Sequence, residues 1–352
     1  MSKTGRQRYN LKDLTRNEMV AVLAGMGKER FRADQIIAWL YRHRVDNLAE
    51  MTNLSRVFRQ QLEEVATVQS LTCQATETAA DGTKKFLFRL FDDSCVETVL
   101  IPEPKRLTLC LSTQVGCRQG CRFCVTGRQG FHRNLKVGEI VDQVVQVQKH
   151  VDREQRRISN IVFMGMGEPL DNLDVLVKAI EILKYDDGLQ FSSRRITVST
   201  CGLVPGMEKL GAQADVCLAI SLNATEDETR SRLMPINRRY NLKTLLSACR
   251  RFPLKRRSRI TFEYILLKDL NDRLADAVRL VKLLKPLKSK INLIPFNEHP
   301  DLPYQRPTDE QISAFQAILL DSGMTSIIRK SKGADISAAC GQLRGKVLAD
   351  GK

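Results

Sequence analysis

Three cysteines fall within one short stretch, Cys117-Arg118-Gln119-Gly120-Cys121-Arg122-Phe123-Cys124. Thiolates are natural ligands for iron–sulfur clusters and for zinc. Three on one tight loop can each hold one iron of a [4Fe–4S] cluster, which leaves the fourth iron open to a substrate or cofactor. A structural zinc site normally closes with four ligands. This loop offers three, so zinc with a distant fourth cysteine is the alternative reading.

Other residues could join that chemistry. Phe163-Met164-Gly165-Met166-Gly167-Glu168-Pro169 runs from an apolar stretch through two glycines into a carboxylate. Glycine there lets backbone approach a ligand closely. Ser199, Ser221, Asn223 and Asn297 are short polar residues at the ends of apolar runs, which suits turn and cap residues or a ligand lining. Cys340 is flanked by Ala338, Ala339 and Gly341, which reads as a small buried site or as a thiol that enters a reaction centre. Cys110 lies on a strand upstream of the cysteine loop and reads as core packing or an inward-facing thiol. Glu97, taken alone, is a surface strand carboxylate.

The elements that must position these groups follow a β-then-α rhythm. Apolar strands are predicted at Leu107–Ser112, Asn160–Met164, Arg195–Ser199, Val216–Ser221, Arg259–Leu266 and Lys290–Ile294. Helices are predicted at Val137–His150, Leu173–Leu183, Asn241–Phe252, Leu274–Leu284 and Thr308–Leu320. Six strands with crossover helices imply an α/β fold, a partial (β/α)6 barrel. Such barrels carry their chemistry at the C-terminal strand ends, where the motifs above fall. Ahead of the barrel, residues 1–70 read as a small helical accessory domain that either contacts RNA or caps the barrel. Residues 71–105 read as a β-hairpin, with strands at Lys85–Leu90 and Cys95–Ile101, and a linker at Pro102-Glu103-Pro104. The barrel is assigned 106–335, and 336–352 is the segment bearing Cys340.

The chain has 352 residues and a formal net charge of +16. That excess points to a polyanionic partner, with nucleic acid favoured over a membrane surface. Lys and Arg recur at 153–157, 194–195, 238–239, 250–259 and 282–290. No apolar run approaches the roughly 18 residues of a membrane helix, and the polar N-terminus lacks a signal-peptide core. A cytoplasmic protein with no membrane partner is expected. In that reducing compartment, ten cysteines read as ligands, nucleophiles or core residues rather than disulfides.

Together these segments resemble one family. The cysteine spacing, with Phe123 before the last thiol, resembles the radical S-adenosylmethionine (SAM) enzymes. Leu109–Cys117, Gly127–Phe131, Arg133–Leu135, Phe163–Pro169, Leu233–Asn237 and Asp335–Leu343 match, in order, the dual-specificity RNA adenine-C2 methyltransferases (RlmN), relatives of the Cfr resistance enzymes. The resemblance implies that Cys117, Cys121 and Cys124 ligate a [4Fe–4S] cluster. It implies SAM contacts at Gly167, Glu168, Ser199, Ser221, Leu222, Asn223 and Asn297. It makes Cys340 the methyl carrier, Cys110 the resolving thiol and Glu97 the base, with two SAM molecules and a 5′-deoxyadenosyl radical per turnover. Implied partners are large-subunit (23S) ribosomal RNA, tRNA and a flavodoxin-type electron donor, with the enzyme acting as a monomer. Many members carry Ser-x-His where this chain has Ser221-Leu222-Asn223. Three alternatives stay open: methylation at C8, a radical SAM enzyme acting on a non-RNA substrate, and a zinc-containing RNA-binding module.

Overall fold

The structure is a computed structural model that describes residues 8–345. Residues 1–7 and 346–352, included in the accessory-domain and tail assignments, lie outside the described residues. One ten-stranded sheet organises the molecule, and its spatial order follows the chain. Strands β1 (Thr72–Thr78), β2 (Lys84–Arg89), β3 (Cys95–Glu103) and β4 (Arg106–Cys110) form an antiparallel meander. From β4 the sheet turns parallel through β5 (Asn160–Phe163), β6 (Ile196–Thr200), β7 (Cys217–Ser221), β8 (Ile260–Leu266), β9 (Ser289–Pro295) and β10 (Ser326–Ile328). The six expected barrel strands are present, and β10 adds a short seventh parallel strand at the open edge.

The helices are α1 (Arg16–Ala24), α2 (Phe31–Ile37), α3 (Arg56–Val65), α4 (Val125–Arg128), α5 (Val137–Asp152) and α6 (Leu173–Leu183). They continue with α7 (Val204–Gln213), α8 (Asp227–Leu233), α9 (Leu242–Arg251), α10 (Leu274–Leu284) and α11 (Asp309–Asp321). Three of these were not expected: α4, a single turn after the cysteine loop, α7 and α8. α7 has proline in its first turn, where the missing N–H costs nothing, and α8 is short and mostly charged. The sequence Pro102-Glu103-Pro104 also departs from expectation, because Pro102 pairs with Leu107 inside the sheet. β2 ends its pairing at Leu100, so beyond it β3 has one neighbour and the absent proline N–H leaves no ladder bond unmade.

α5 explains how the N-terminal module is held. Residues on every side of this helix are buried, because it lies between the sheet and the module. Lys12 Nζ meets Asp142 Oδ1 of α5 at 2.5 Å, and both side chains are fully buried. The other Asp142 oxygen accepts from the Leu71 N–H at 2.6 Å. The Gly138 N–H donates to Asp13 Oδ1 at 2.7 Å, and the Arg16 N–H donates to the Tyr185 hydroxyl at 2.6 Å. α1 itself starts on a capping box between Thr15 and Glu18. Breaking a buried ion pair leaves one charge unpaired. Lys12→Ala should therefore lower the unfolding free energy by about 3–5 kcal/mol. Guanidinium unfolding checks this, and a loss below about 1 kcal/mol would show that the clasp is not structural. Among the described residues no helix is long and apolar enough to cross a membrane.

Candidate active site

The cysteine loop leaves β4 and is pinched at its base. Gly116 has φ +72°, and a Cβ there would lie 1.9 Å from the Gly130 carbonyl oxygen. Glycine is thus the only residue that fits. The Cys117 N–H then donates to that same carbonyl at 2.7 Å. Cys117, Cys121 and Cys124 line one cavity with Gly167, Glu168, Ser199, Ser221, Asn223 and Cys340. That cavity opens at the C-terminal ends of the barrel strands.

The thiols fit an iron–sulfur cluster in two ways. Burial pushes Cys117 up to about 12, and raises Cys121 and Cys124 too; Cys124 and Cys117 both add to the rise at Cys121. Thiolates crowded in a desolvated site are costly until a cationic centre offsets them. Among the described residues no three His, Cys, Asp or Glu groups converge on a position for a single metal ion. In a cubane cluster each cysteine binds a different iron, so its thiols need not converge as the ligands of one zinc must.

The Gly-Glu motif is built for close approach. Gly167 has φ +99°, and a Cβ there would lie 2.5 Å from the Gln114 Cβ. The next N–H, of Glu168, donates to Gln114 Oε1 at 2.8 Å. Glu168 is buried, and burial raises its pKa. Its carboxylate accepts from the Leu170 N–H at 3.1 Å and the Cys201 N–H at 2.8 Å, which ties the motif to the end of β6.

The segment bearing Cys340 docks on the cysteine loop through main chain. The Val125 N–H donates to the Gly341 carbonyl at 2.7 Å, and the Thr126 hydroxyl donates to the Leu343 carbonyl at 2.6 Å. Cys340 keeps an exposed surface, but that surface borders the cavity, ringed by protein. Desolvation pushes its thiol up to about 11, and the nearby Glu263 carboxylate adds to the rise.

Cys110 and Glu97 lie beside this cavity rather than in its lining. Cys110 is 7% exposed. Burial raises its thiol, and Cys340 is close enough to raise it further. Glu97 is likewise buried, not the surface carboxylate that its sequence suggests. Its Oε1 lies 3.3 Å from Lys85 Nζ. Its Oε2 accepts the Arg344 and Gly345 N–H groups at 2.6 and 3.3 Å. Lys85 also donates to the Ile336 carbonyl at 2.7 Å, so Glu97, Lys85 and the tail form one network.

Two expected contacts take other places. Leu222 is fully buried behind the wall; its carbonyl accepts from Arg230 Nε at 3.0 Å. Asn297 is outside the lining and accepts the Ser331 hydroxyl. Asn223 borders the cavity, but its amide serves the backbone: Oδ1 accepts the Ile265 N–H at 2.8 Å. Its φ of +56° is a left-handed conformation that asparagine tolerates well.

Three residues enter the site unannounced. Arg230 is fully buried and its guanidinium bridges strand ends, donating to the Cys201 carbonyl at 2.7 Å and the Ser221 carbonyl at 3.2 Å. Burial lowers its pKa. Cys201 itself belongs to the buried apolar cluster around Phe123 and Met234 and also borders the cavity. Glu263 on β8 also lines it and accepts from Asn292 at 2.9 Å. Only its break in the apolar alternation of β8 could have signalled it.

Known proteins share this arrangement. Residues 9–68 match the model of the ribosomal RNA large subunit methyltransferase N-terminal domain, and residues 111–281 match the radical SAM superfamily. The dual-specificity RNA methyltransferase RlmN of Geotalea uraniireducens is 54% identical over 97% of this chain and 98% of its own. Its counterpart in Geobacter sulfurreducens is 55% identical over 96% and 92%. A radical SAM methyltransferase from Sphaerobacter thermophilus superposes with a TM-score of 0.91 at 44% identity, covering 96% of this chain and all of that one. With likeness of this degree along nearly its whole length, the chain belongs to the RlmN family of radical SAM methyltransferases.

Proposed function

We propose that this protein methylates C2 of adenine in 23S ribosomal RNA and in tRNA, with Cys340 as methyl carrier. The observation that carries this reading is the docking of the Cys340 segment on the cysteine loop, near enough to Cys110 for the two thiols to influence one another. Adenine C2 lies between two ring nitrogens and is too electron-poor to take a methyl by simple displacement. Bound at Cys117, Cys121 and Cys124, a [4Fe–4S] cluster with one open iron would hold SAM and supply the electron that releases a 5′-deoxyadenosyl radical.

The chain's own residues do the rest. Cys340 holds the methyl group as a thioether, so one SAM serves as methyl donor and a second as radical source. Gly167 gives a ligand access to the backbone, and Glu168 offers a carboxylate for the SAM amino group. Ser199, Ser221 and Asn223 present short polar groups for its remaining oxygens. The 5′-deoxyadenosyl radical takes one hydrogen from the methyl group on Cys340 and the carbon adds to C2; the ring is restored when the adduct loses one electron, which the cluster would take back, and Glu97 removes the C2 proton. Its contacts with Lys85 and the tail N–H groups fix where that carboxylate sits. Cys110 then attacks the Cys340 sulfur: the disulfide forms as the S–CH2 bond breaks, the electron pair passes to the carbon on C2, and the proton that Glu97 had taken returns to complete the methyl group and free the RNA. The sheet and the docked tail supply the alignment that such a sequence requires. A flavodoxin-type protein is the proposed electron source, and the enzyme acts as a cytoplasmic monomer.

The test is anaerobic incubation of cluster-loaded protein with SAM, a low-potential reductant and RNA, followed by nucleoside mass spectrometry. The expected product is 2-methyladenosine. Its 8-methyl isomer would move the reading to C8 chemistry, and unmodified adenosine would reject RNA methylation.

A further inference from the structure

Charge on this protein is segregated. Segments 250–259 and 282–290 carry ten Lys and Arg residues and no Asp or Glu. They are the connections from α9 into β8 and from α10 into β9. These strands are neighbours, in register from the pair Ile260 and Ser289 onward. The Ile260 N–H donates to the Lys288 carbonyl at 2.9 Å, so the two connections abut and form one surface.

Arg251 and Lys255 are ion-paired to Glu208 and Asp215. Arg250, Arg256, Arg257, Lys282, Lys285 and Lys288 are exposed, and among the described residues they have no acidic partner within ion-pair distance. Unrelieved like charge of this density works against the folded chain, and a polyanion would relieve it. Beside the patch, Ser192, Ser193, Arg194 and Ser258 line a cleft of about 280 Å³, together with Asp215, whose charge is met by Lys255. Hydroxyls and cations are the groups that hold phosphate oxygens.

The location is what makes the patch informative. Connections that enter the N-terminal ends of parallel strands lie on the face opposite the catalytic mouth. β8 and β9 each span seven residues, so the two faces are separated by roughly 20 Å at ~3.3 Å per residue. The mouth has cations of its own, including Arg118 in the cysteine loop and Arg329 beside Cys340. A membrane surface fits the patch poorly, since none of the large exposed hydrophobic side chains lies in either segment and interfacial binding needs an apolar anchor.

We propose that this face is a second RNA-docking surface, which holds phosphates of a folded RNA that extends past the mouth and around the barrel. The proposal rests on the RNA-methylating function above and adds where a large substrate is held. Short RNAs would engage the mouth alone.

The test uses the full-length, cluster-loaded protein and its variant carrying Arg256→Gln, Arg257→Gln, Lys285→Gln and Lys288→Gln. The probes are a whole tRNA and its isolated anticodon stem-loop, each bound over a range of salt. For the whole tRNA, the slope of log affinity against log salt should become shallower by about 3, from four lost contacts at 0.7–0.9 each. For the stem-loop, slope and methylation rate should match the parent, which also shows that the variant folds. Equal slopes for both proteins on whole tRNA would overturn the proposal. So would an equal loss on both RNAs, or a parent that binds anionic phosphatidylglycerol vesicles while the variant loses only that binding. A parent that binds whole tRNA and methylates it, with no effect of the substitutions, would reject this surface and leave the function standing. A parent that binds and methylates neither RNA would reject both.

Discussion

Cys340→Ala will form its cluster normally and yield no methylated RNA, a loss on the order of 10⁴-fold or more for removal of a covalent carrier. The segment is held through the Gly341 and Leu343 carbonyls, and alanine leaves those bonds in place. The defect is therefore chemical rather than structural. Iron and sulfide content, with the visible absorbance of the cluster, should match the parent protein. Nucleoside analysis should find only unmodified adenosine. Methylation by this variant at a parental rate would remove Cys340 from the mechanism and leave a radical enzyme with a different route to its product.

Cys110→Ala is expected to behave in the opposite sense. It should react once and then stop, with RNA covalently attached to Cys340 at up to about one equivalent, because no thiol remains to displace it. A denaturing gel with labelled RNA would show the adduct as a shifted protein band. The substitution removes one sulfur from a buried position on β4, which costs about 1 kcal/mol, typical for a small core change. The fold should survive it. Burial and the neighbouring Cys340 both raise the Cys110 thiol, so in the parent enzyme its attack needs a group to take the proton. Free release of methylated RNA by the variant at a normal rate would show that resolution occurs elsewhere.

Much of this was readable before any coordinates. Short apolar runs separated by helices reported the barrel, because a parallel sheet covered on both faces needs continuous apolar strands. The cysteine loop stood out because three thiols at this spacing are rare outside such chemistry, and the Gly-Glu motif, an ordinary turn by itself, gained meaning from its place after the next strand. The Cys340 role came from family resemblance and not from its neighbourhood, which reads equally well as a buried turn. Arg230 was hidden for a different reason. It sits in Glu226–Arg232, a charged stretch that looks solvated, and only the meeting of β6 and β7 encloses it. Glu97 was misplaced for the same reason: alternation along a strand tells which residues share a side, but not which side is covered. Leu222 and Asn297 entered as cofactor contacts through the family resemblance, and neither lines the cavity.

One further consequence follows from the pairing of β3 with β4. Val99 lies opposite Cys110, and the Ser112 hydroxyl reaches the Glu97 carbonyl at 2.6 Å. Glu97 and Cys110 therefore stand on one side of one ladder, two steps apart along it. Because neighbouring residues in a strand alternate sides, the spacing obeys parity. Point substitutions here should have graded effects. Loss or gain of a single codon between Glu97 and its turn would send the carboxylate to the α5 side, where no RNA can reach it. Length variation in natural relatives should thus be excluded from this stretch and concentrated in the turns that bound it.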